Sequence, residues 1–448
     1  MNRRTLCISA SLIVSLCCGY LFAQQNQSAP QQKISKEDRE RARAMLGTIA
    51  DDVRKHYYDP KFHGLDWSAT VQATQQAIDN ATSLNRALSE IAAALDKLND
   101  SHVFFVPPPR PFTHEFGWRL EMIGDHCFVT QVRPQSDVEA KGIKRGDEVL
   151  ALNGFQPARD SLPKMMYVFN LLRPQTALHV ALRSPDGQTR EIDVAAAMRQ
   201  RKKVVDLTGG TGGNDLWDLV RQGENIAHQG RARWLEPSGD LMVLKFPGFD
   251  FTDTQINDMM NKARKRKALI IDLRGNGGGS EDTLKALIGE VLDHEVKLGD
   301  RITRDGKKSL DAKSRGHNAF SGKLVVLVDN ESASAAELFA HLMQIEKRAT
   351  VLGDQSAGKV MRAKEYSYKY GMDTIIFYGA SITESDIIMT DGKSLEKNGV
   401  IPDELILPTA ADLAAGRDPV MVRAAEICGV KMNPEAAGAL FPYDWPSL

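Results

Sequence analysis

The chain has 448 residues, 42% of them apolar and 26% charged, with a formal net charge of −1. That length suits two or three domains, and the near-neutral balance gives no global attraction for nucleic acid or another polyanion. The basic runs Arg199 to Lys203 and Lys262 to Lys267 read as solvated element ends.

Residues 1–23 form a secretory signal pattern: basic Arg3 and Arg4, an apolar run, and Ala23 at the cleavage position. The alternative is a retained N-terminal anchor, since the run approaches the length that spans a bilayer. Export to the periplasm or the extracellular space is therefore expected, with membrane attachment only if this segment is retained. Cys7, Cys17 and Cys18 lie inside it, so Cys127 and Cys428 alone remain, too few for a disulfide framework.

Residues 24–34 are a polar linker. From Ser35 the spacing is helical, and three amphipathic segments with cap residues follow within a helical region, 35–112. A proline cluster, Pro107 to Pro109, ends it. Residues 113–198 change to two-residue alternation around turns and read as a β-rich domain. A linker, 199–215, holds the glycine-rich stretch Asp206 to Asp215. Residues 216–410 then alternate strands with helices, the pattern of an α/β core with a mostly parallel sheet. Residues 411–448 are a C-terminal extension.

Ligands of such sheets sit beyond the carboxyl ends of the strands. Two stretches occupy that position, "DLRGNGGGS" and "DNESASAAE". The second sets Ser332 and Ser334 on a strand-to-helix turn, where free backbone N–H groups suit an oxyanion. Taken alone it reads as a helix cap. The first exposes backbone amides around Gly277 and Gly278 and lacks the spacing of a phosphate loop. Lys359 in "GDQSAGKV" follows a further strand and becomes a candidate base if burial lowers its pKa. His102, beside Ser101 in "LNDSH", is a second candidate base. No HExxH, paired CxxC or His/Asp/Glu cluster appears, so neither metal nor organic cofactor is expected.

"DLRGNGGG", "SASAAE" and "GDQSAGK" in this order resemble the carboxy-terminal processing, or tail-specific, serine proteases. The wider clan includes tricorn and the interphotoreceptor retinoid-binding protein modules. "LNDSH" and "DGKSLEKNGVIPD" fit the same clan, and the resemblance extends over the whole mature chain. It implies a ClpP/crotonase-like core and an exported serine endopeptidase acting on polypeptides through their C-termini. The nucleophile falls on Ser334, the base on Lys359, and the oxyanion amides on Ala335 and Gly277 or Gly278. The glutamine that many members place four residues past the lysine is Ala363 here. The tricorn branch instead pairs serine with a histidine, supported by a serine and a glutamate, which fall on His102, Ser101 and Glu396. The resemblance favours Ser334 with Lys359, and keeps His102 as the other base. Residues 113–198 resemble a PDZ domain, whose carboxylate loop falls on Phe116, Gly117, Trp118 and Arg119. The rival reading is a non-catalytic peptide- or ligand-binding module of the same fold.

Overall fold

The computed structural model describes residues 34–200, 231–371 and 375–445. The expected signal segment 1–23 and the glycine-rich stretch Asp206 to Asp215 lie outside the described residues.

Three helices open the described chain: Lys36–His56, Trp67–Asp79 and Leu84–Asp96. Each starts where a short polar side chain accepts an orphan amide: Ser35 from Asp38, Asp66 from Ala69, Ser83 from Arg86. Their apolar faces bury Met45, Leu46, Ile49, Val53, Ile91 and Leu95. The same core takes in Phe105, Tyr378, Ala380 and Ile382 from a sheet further along the chain. Ile34, at the end of the expected polar linker, is buried against these helices.

Residues Trp118–Ile123, His126–Val132, Glu148–Leu152, Ala177–Arg183 and Thr189–Ala195 form a five-stranded antiparallel sheet with its own core around Val129, Leu152 and Val180. Trp118–Ile123 is an edge strand of that sheet. A separate two-stranded ribbon pairs Phe112–Glu115 with Ala197–Gln200 at the two ends of this module.

The central sheet runs in the order Glu404–Leu405, Thr350–Gly353, Lys323–Val328, Ala268–Asp272, Leu241–Lys245, Arg233–Ser238. All neighbours in it are parallel except the last pair. The two middle strands, "ALIID" and "KLVVLV", are nearly continuous apolar runs because both faces are covered. Helices Asp253–Ala263, Glu281–Val291 and Ala335–Ile345 cover one face. The helix Pro419–Ile427 covers the other through Val420, Met421, Ala424 and Ala425. The expected C-terminal extension is thus part of the core sandwich.

A second sheet, antiparallel throughout, was not legible in the strand pattern. It joins Val296–Thr303, Gly306–Ala312, Arg362–Tyr370 and Ile376–Met389 with the short strand Phe104–Val106. That short strand begins two residues after His102, so this sheet and the N-terminal helices together carry the histidine.

One buried ion cluster ties the glycine turn to the C-terminal helix. Arg274 forks onto Asp272 at 3.0 and 2.9 Å and onto Asp418 at 3.0 and 2.8 Å. Asp418 caps helix Pro419–Ile427, and the surrounding cations hold the buried Asp272 carboxyl well below its usual range. Arg274→Met leaves Asp272, which is 1% exposed, deprived of its main partner. A loss of about 3–5 kcal/mol in denaturant unfolding is expected.

Candidate active site

The strand Lys323–Val328 ends in a turn that delivers Ser334 at the start of helix Ala335–Ile345. Ser334 has φ 55° and ψ −119°, a conformation a non-glycine residue holds only when its surroundings impose it. The surroundings are specific. Asp329 Oδ1 accepts the amides of Gly275, Glu331 and Ser332. Ser332 is fully buried, and its hydroxyl donates to the Leu273 carbonyl at 2.9 Å while accepting from the Asp329 amide at 3.0 Å. Ser332 is therefore a structural pin between two strand ends.

The glycine turn is pressed against the same helix start. Asn276 is buried, donates to the Phe246 carbonyl at 2.6 Å, and its own carbonyl accepts from Ala333. At Gly278, φ is +97° and a Cβ would lie 2.6 Å from the Cβ of Ser334, so only glycine fits. The Gly278 amide is already used, donating to Asn276 Oδ1 at 2.8 Å. The amides of Gly277 and Ala335 have no acceptor among the described residues.

Sequence reasoning passed over Glu337, the third residue after Ser334. Its carboxylate is wholly buried and accepts four hydrogen bonds. Oε2 takes the Ser334 amide at 3.0 Å and the Lys359 amide at 2.8 Å. Oε1 takes the Ser356 hydroxyl at 2.5 Å and the Gly358 amide at 2.7 Å. Burial pushes the Glu337 pKa up, and these donors pull it back. The spacing Ser-x-x-Glu is a capping box, the one local signal that could have found it. The Lys359 carbonyl in turn accepts the Ser334 amide at 2.7 Å, so the Lys359 backbone lies directly against Ser334.

A second carboxylate, Glu396, closes the opposite side. Oε1 accepts the Ser101 amide at 3.0 Å; Oε2 accepts the Ser101 hydroxyl at 3.0 Å and the Val360 amide at 3.1 Å. Ser101 Oγ also lies 2.8 Å from His102 Nδ1. The hydroxyl has one proton and directs it at the carboxylate, so Nδ1 donates to the hydroxyl. That leaves Nε2 of His102 with a free lone pair. Asp100, also overlooked in the sequence, accepts the His102 amide at 2.8 Å, the Thr383 hydroxyl at 2.8 Å and the Tyr57 hydroxyl at 3.2 Å. Burial lowers the His102 pKa below 6.5, Asp100 raises it, and Lys359 lowers it further. The structure thus joins Ser334, Ala335, Gly277, Gly278, Lys359, Ser101, His102 and Glu396 through short contacts into one region.

The four module residues lie apart from this cluster. Phe116 is buried, and Gly117 (φ +80°) packs on Ser136 while its carbonyl accepts the Arg133 amide. Trp118 opens the edge strand. Arg119 pairs with Glu121 at 2.6 Å and reaches across to Glu331 in the serine turn.

Residues 240–406 match the model of peptidase family S41. The chain resembles the carboxy-terminal processing serine proteases. It is 23% identical over 326 residues to carboxyl-terminal-processing peptidase 3 of Arabidopsis thaliana, covering 68% of this chain and 59% of that one. It is 23% identical over 404 residues to a tricorn protease homolog of Streptomyces coelicolor, covering 84% of this chain and 31% of the other. The chain therefore spans less than two thirds of either relative. Among solved structures, mature CPAF superposes with a TM-score of 0.64 at 17% identity, over 85% of this chain and 95% of that one. The region matched by that family model thus sits in a fold shared with this structure across 85% of the chain.

The histidine environment yields a pH prediction. In a Ser334→Ala background, the His102 ring observed by NMR titrates below 6.5, the ordinary value. Asp100→Asn removes the group that raises it, so the midpoint moves further down. A midpoint above 6.5 in the parent contradicts this environment.

Proposed function

We propose that this protein is an exported serine endopeptidase in which Ser334 is the nucleophile and His102 the general base. The observation that carries the reading is the hydrogen-bonded chain from Glu396 through Ser101 to His102 Nδ1. It leaves Nε2 unprotonated, and burial keeps the ring neutral at pH 7.

Ser334 Oγ attacks the peptide carbonyl as His102 Nε2 takes its proton, giving a tetrahedral oxyanion. The amides of Ala335 and Gly277 donate to that oxyanion, since the Gly278 amide is committed to Asn276. Collapse breaks the C–N bond, and His102 returns the proton to the leaving amine. Water, deprotonated by the same nitrogen, then hydrolyses the acyl-enzyme. Glu396 and Ser101 fix the tautomer and favour the imidazolium as it forms.

A second reading makes Lys359 the base, as the resemblance to the lysine-type members favours. It is supported by the 2.7 Å contact between the Ser334 amide and the Lys359 carbonyl. In the histidine reading Lys359 acts through charge: near His102 it disfavours premature protonation.

We further propose that the module binds polypeptide substrates by strand addition to Trp118–Ile123, an edge strand, near the loop Phe116 to Arg119. Arg119 links that strand to Glu331 in the serine turn. Export rests on the N-terminal signal pattern. Among the described residues no helix is long and apolar enough to cross a membrane.

Cleavage of an unstructured polypeptide separates the two bases. Ser334→Ala and His102→Ala each lower kcat/KM by at least about 10²–10⁴-fold, the usual worth of such groups. Lys359→Ala stays within about tenfold of the parent, because it touches the proton transfer only electrostatically. If Lys359→Ala is as inactive as Ser334→Ala while His102→Ala retains activity, the lysine reading replaces the histidine one.

A further inference from the structure

A cavity of about 520 Å³ separates the antiparallel module from the core. Its walls include Arg119, Glu121 and Met122 of the edge strand and Gly275 of the glycine turn. Phe441, Tyr443 and Asp444 line it as well, and Trp445 follows them in the chain. Phe441, Tyr443 and Trp445 are half-buried and Pro442 and Asp444 exposed, the two-residue alternation of an extended chain laid on a surface.

Each inward ring meets one guanidinium. Arg233 lies 5.6 Å from the Phe441 ring centre, Arg119 5.2 Å from Tyr443, and Arg133 4.8 Å from Trp445. All three fall within the roughly 6 Å range of cation–π attraction. Arg233 also donates to the Pro442 carbonyl at 3.2 Å and pairs with Asp444 at 3.3 Å. The arginines are held in place: Arg119 by Glu121 and Glu331, Arg133 by Glu115. Arg233 comes from the edge of the central sheet and the other two from the module, so one extended segment bridges both bodies.

We propose that Arg233, Arg119 and Arg133 form a recognition row for extended polypeptide segments with an aromatic residue at every second position, and that residues 441–445 are its resident occupant. This rests on the reading of Trp118–Ile123 as a polypeptide-binding edge. A planar guanidinium suits a ring face better than an ammonium does, and a spacing of two residues sets the rings on one side of a strand. The tethered segment competes at an effective concentration on the order of millimolar. A polypeptide lacking the alternation does not displace it; one carrying it does, and gains both the arginine row and the edge strand. The row then selects which chains reach Ser334.

The test uses the full chain carrying Ser334→Ala, so that nothing is cleaved, with and without Tyr443→Ala and Trp445→Ala. The probe is a fluorescent pentapeptide, Phe-Pro-Tyr-Asp-Trp, acetylated and amidated, followed by polarisation. We expect at least tenfold tighter binding to the triple variant than to the Ser334→Ala parent. A peptide with serine at the three aromatic positions should bind neither. Arg233→Gln added to the triple variant should weaken the pentapeptide at least threefold. Equal affinity for both proteins, or equal binding of the serine peptide, overturns the proposal. If the triple variant loses its cooperative melt, Arg233→Gln in the chain that keeps Ser334 decides: it must raise cleavage of an aromatic-poor polypeptide by loosening the occupant, and an unchanged rate overturns the proposal. Selective binding of the pentapeptide by a chain that keeps Ser334 yet cleaves no polypeptide removes the peptidase reading and leaves the row. Cleavage without selective pentapeptide binding does the reverse.

Discussion

A single buried carboxylate organises this molecule's chemistry. Glu337 sits at the third position of the helix that Ser334 begins, out of water, with four donors converging on its two oxygens. An unpaired carboxylate there would be costly, so the ionised group draws in the chain segment 356–359 and the Ser334 amide together. The left-handed backbone at Ser334 is held by that convergence and by the Lys359 carbonyl. The serine turn, the lysine loop and the helix start become one rigid piece before any substrate arrives.

Glu396 does the complementary work on the other side. By accepting from Ser101 and from Val360, it brings the histidine turn of the N-terminal region to the loop that already touches Ser334. Two distant parts of the sequence meet because each places donors around one of two carboxylates. The choice of base follows from this second centre. The resemblance to the processing proteases favoured Lys359, since a lysine stands where the family has one. The formed hydrogen-bond chain shifts the proposal to His102, whose tautomer is determined by where the Ser101 proton goes.

Much of the architecture could be read from local rules. The capped N-terminal helices, the apolar strands "ALIID" and "KLVVLV", and the position of Ser334 and the glycine turn beyond the strand ends all follow from periodicity and the α/β switch-point rule. The fold separates the two serines of that turn, since the Ser332 hydroxyl is spent on two backbone groups. The second sheet was passed over because strands such as Arg362–Tyr370 are polar and largely exposed, and nothing local says that Phe104–Val106 pairs with strands so far along the chain. Helix Pro419–Ile427 was hidden by its shortness, although it packs Val420, Met421, Ala424 and Ala425 against one sheet face. Asp100 had only an Asx turn onto the His102 amide as a local signature: its partners Tyr57 and Thr383 are brought together only by the tertiary fold.

The account stands or falls on Glu337. The most direct measurement is the rate at which a fluorophosphonate labels Ser334, read by mass spectrometry, in Glu337→Gln against the parent. An amide at this position cannot accept four hydrogen bonds, and a displacement of about 1 Å at a reacting group costs on the order of 100-fold. Labelling slowed by about that factor, with the far-UV spectrum unchanged, is the expected result. Labelling of Glu337→Gln at the parental rate would contradict the claim that this carboxylate sets the proposed nucleophile.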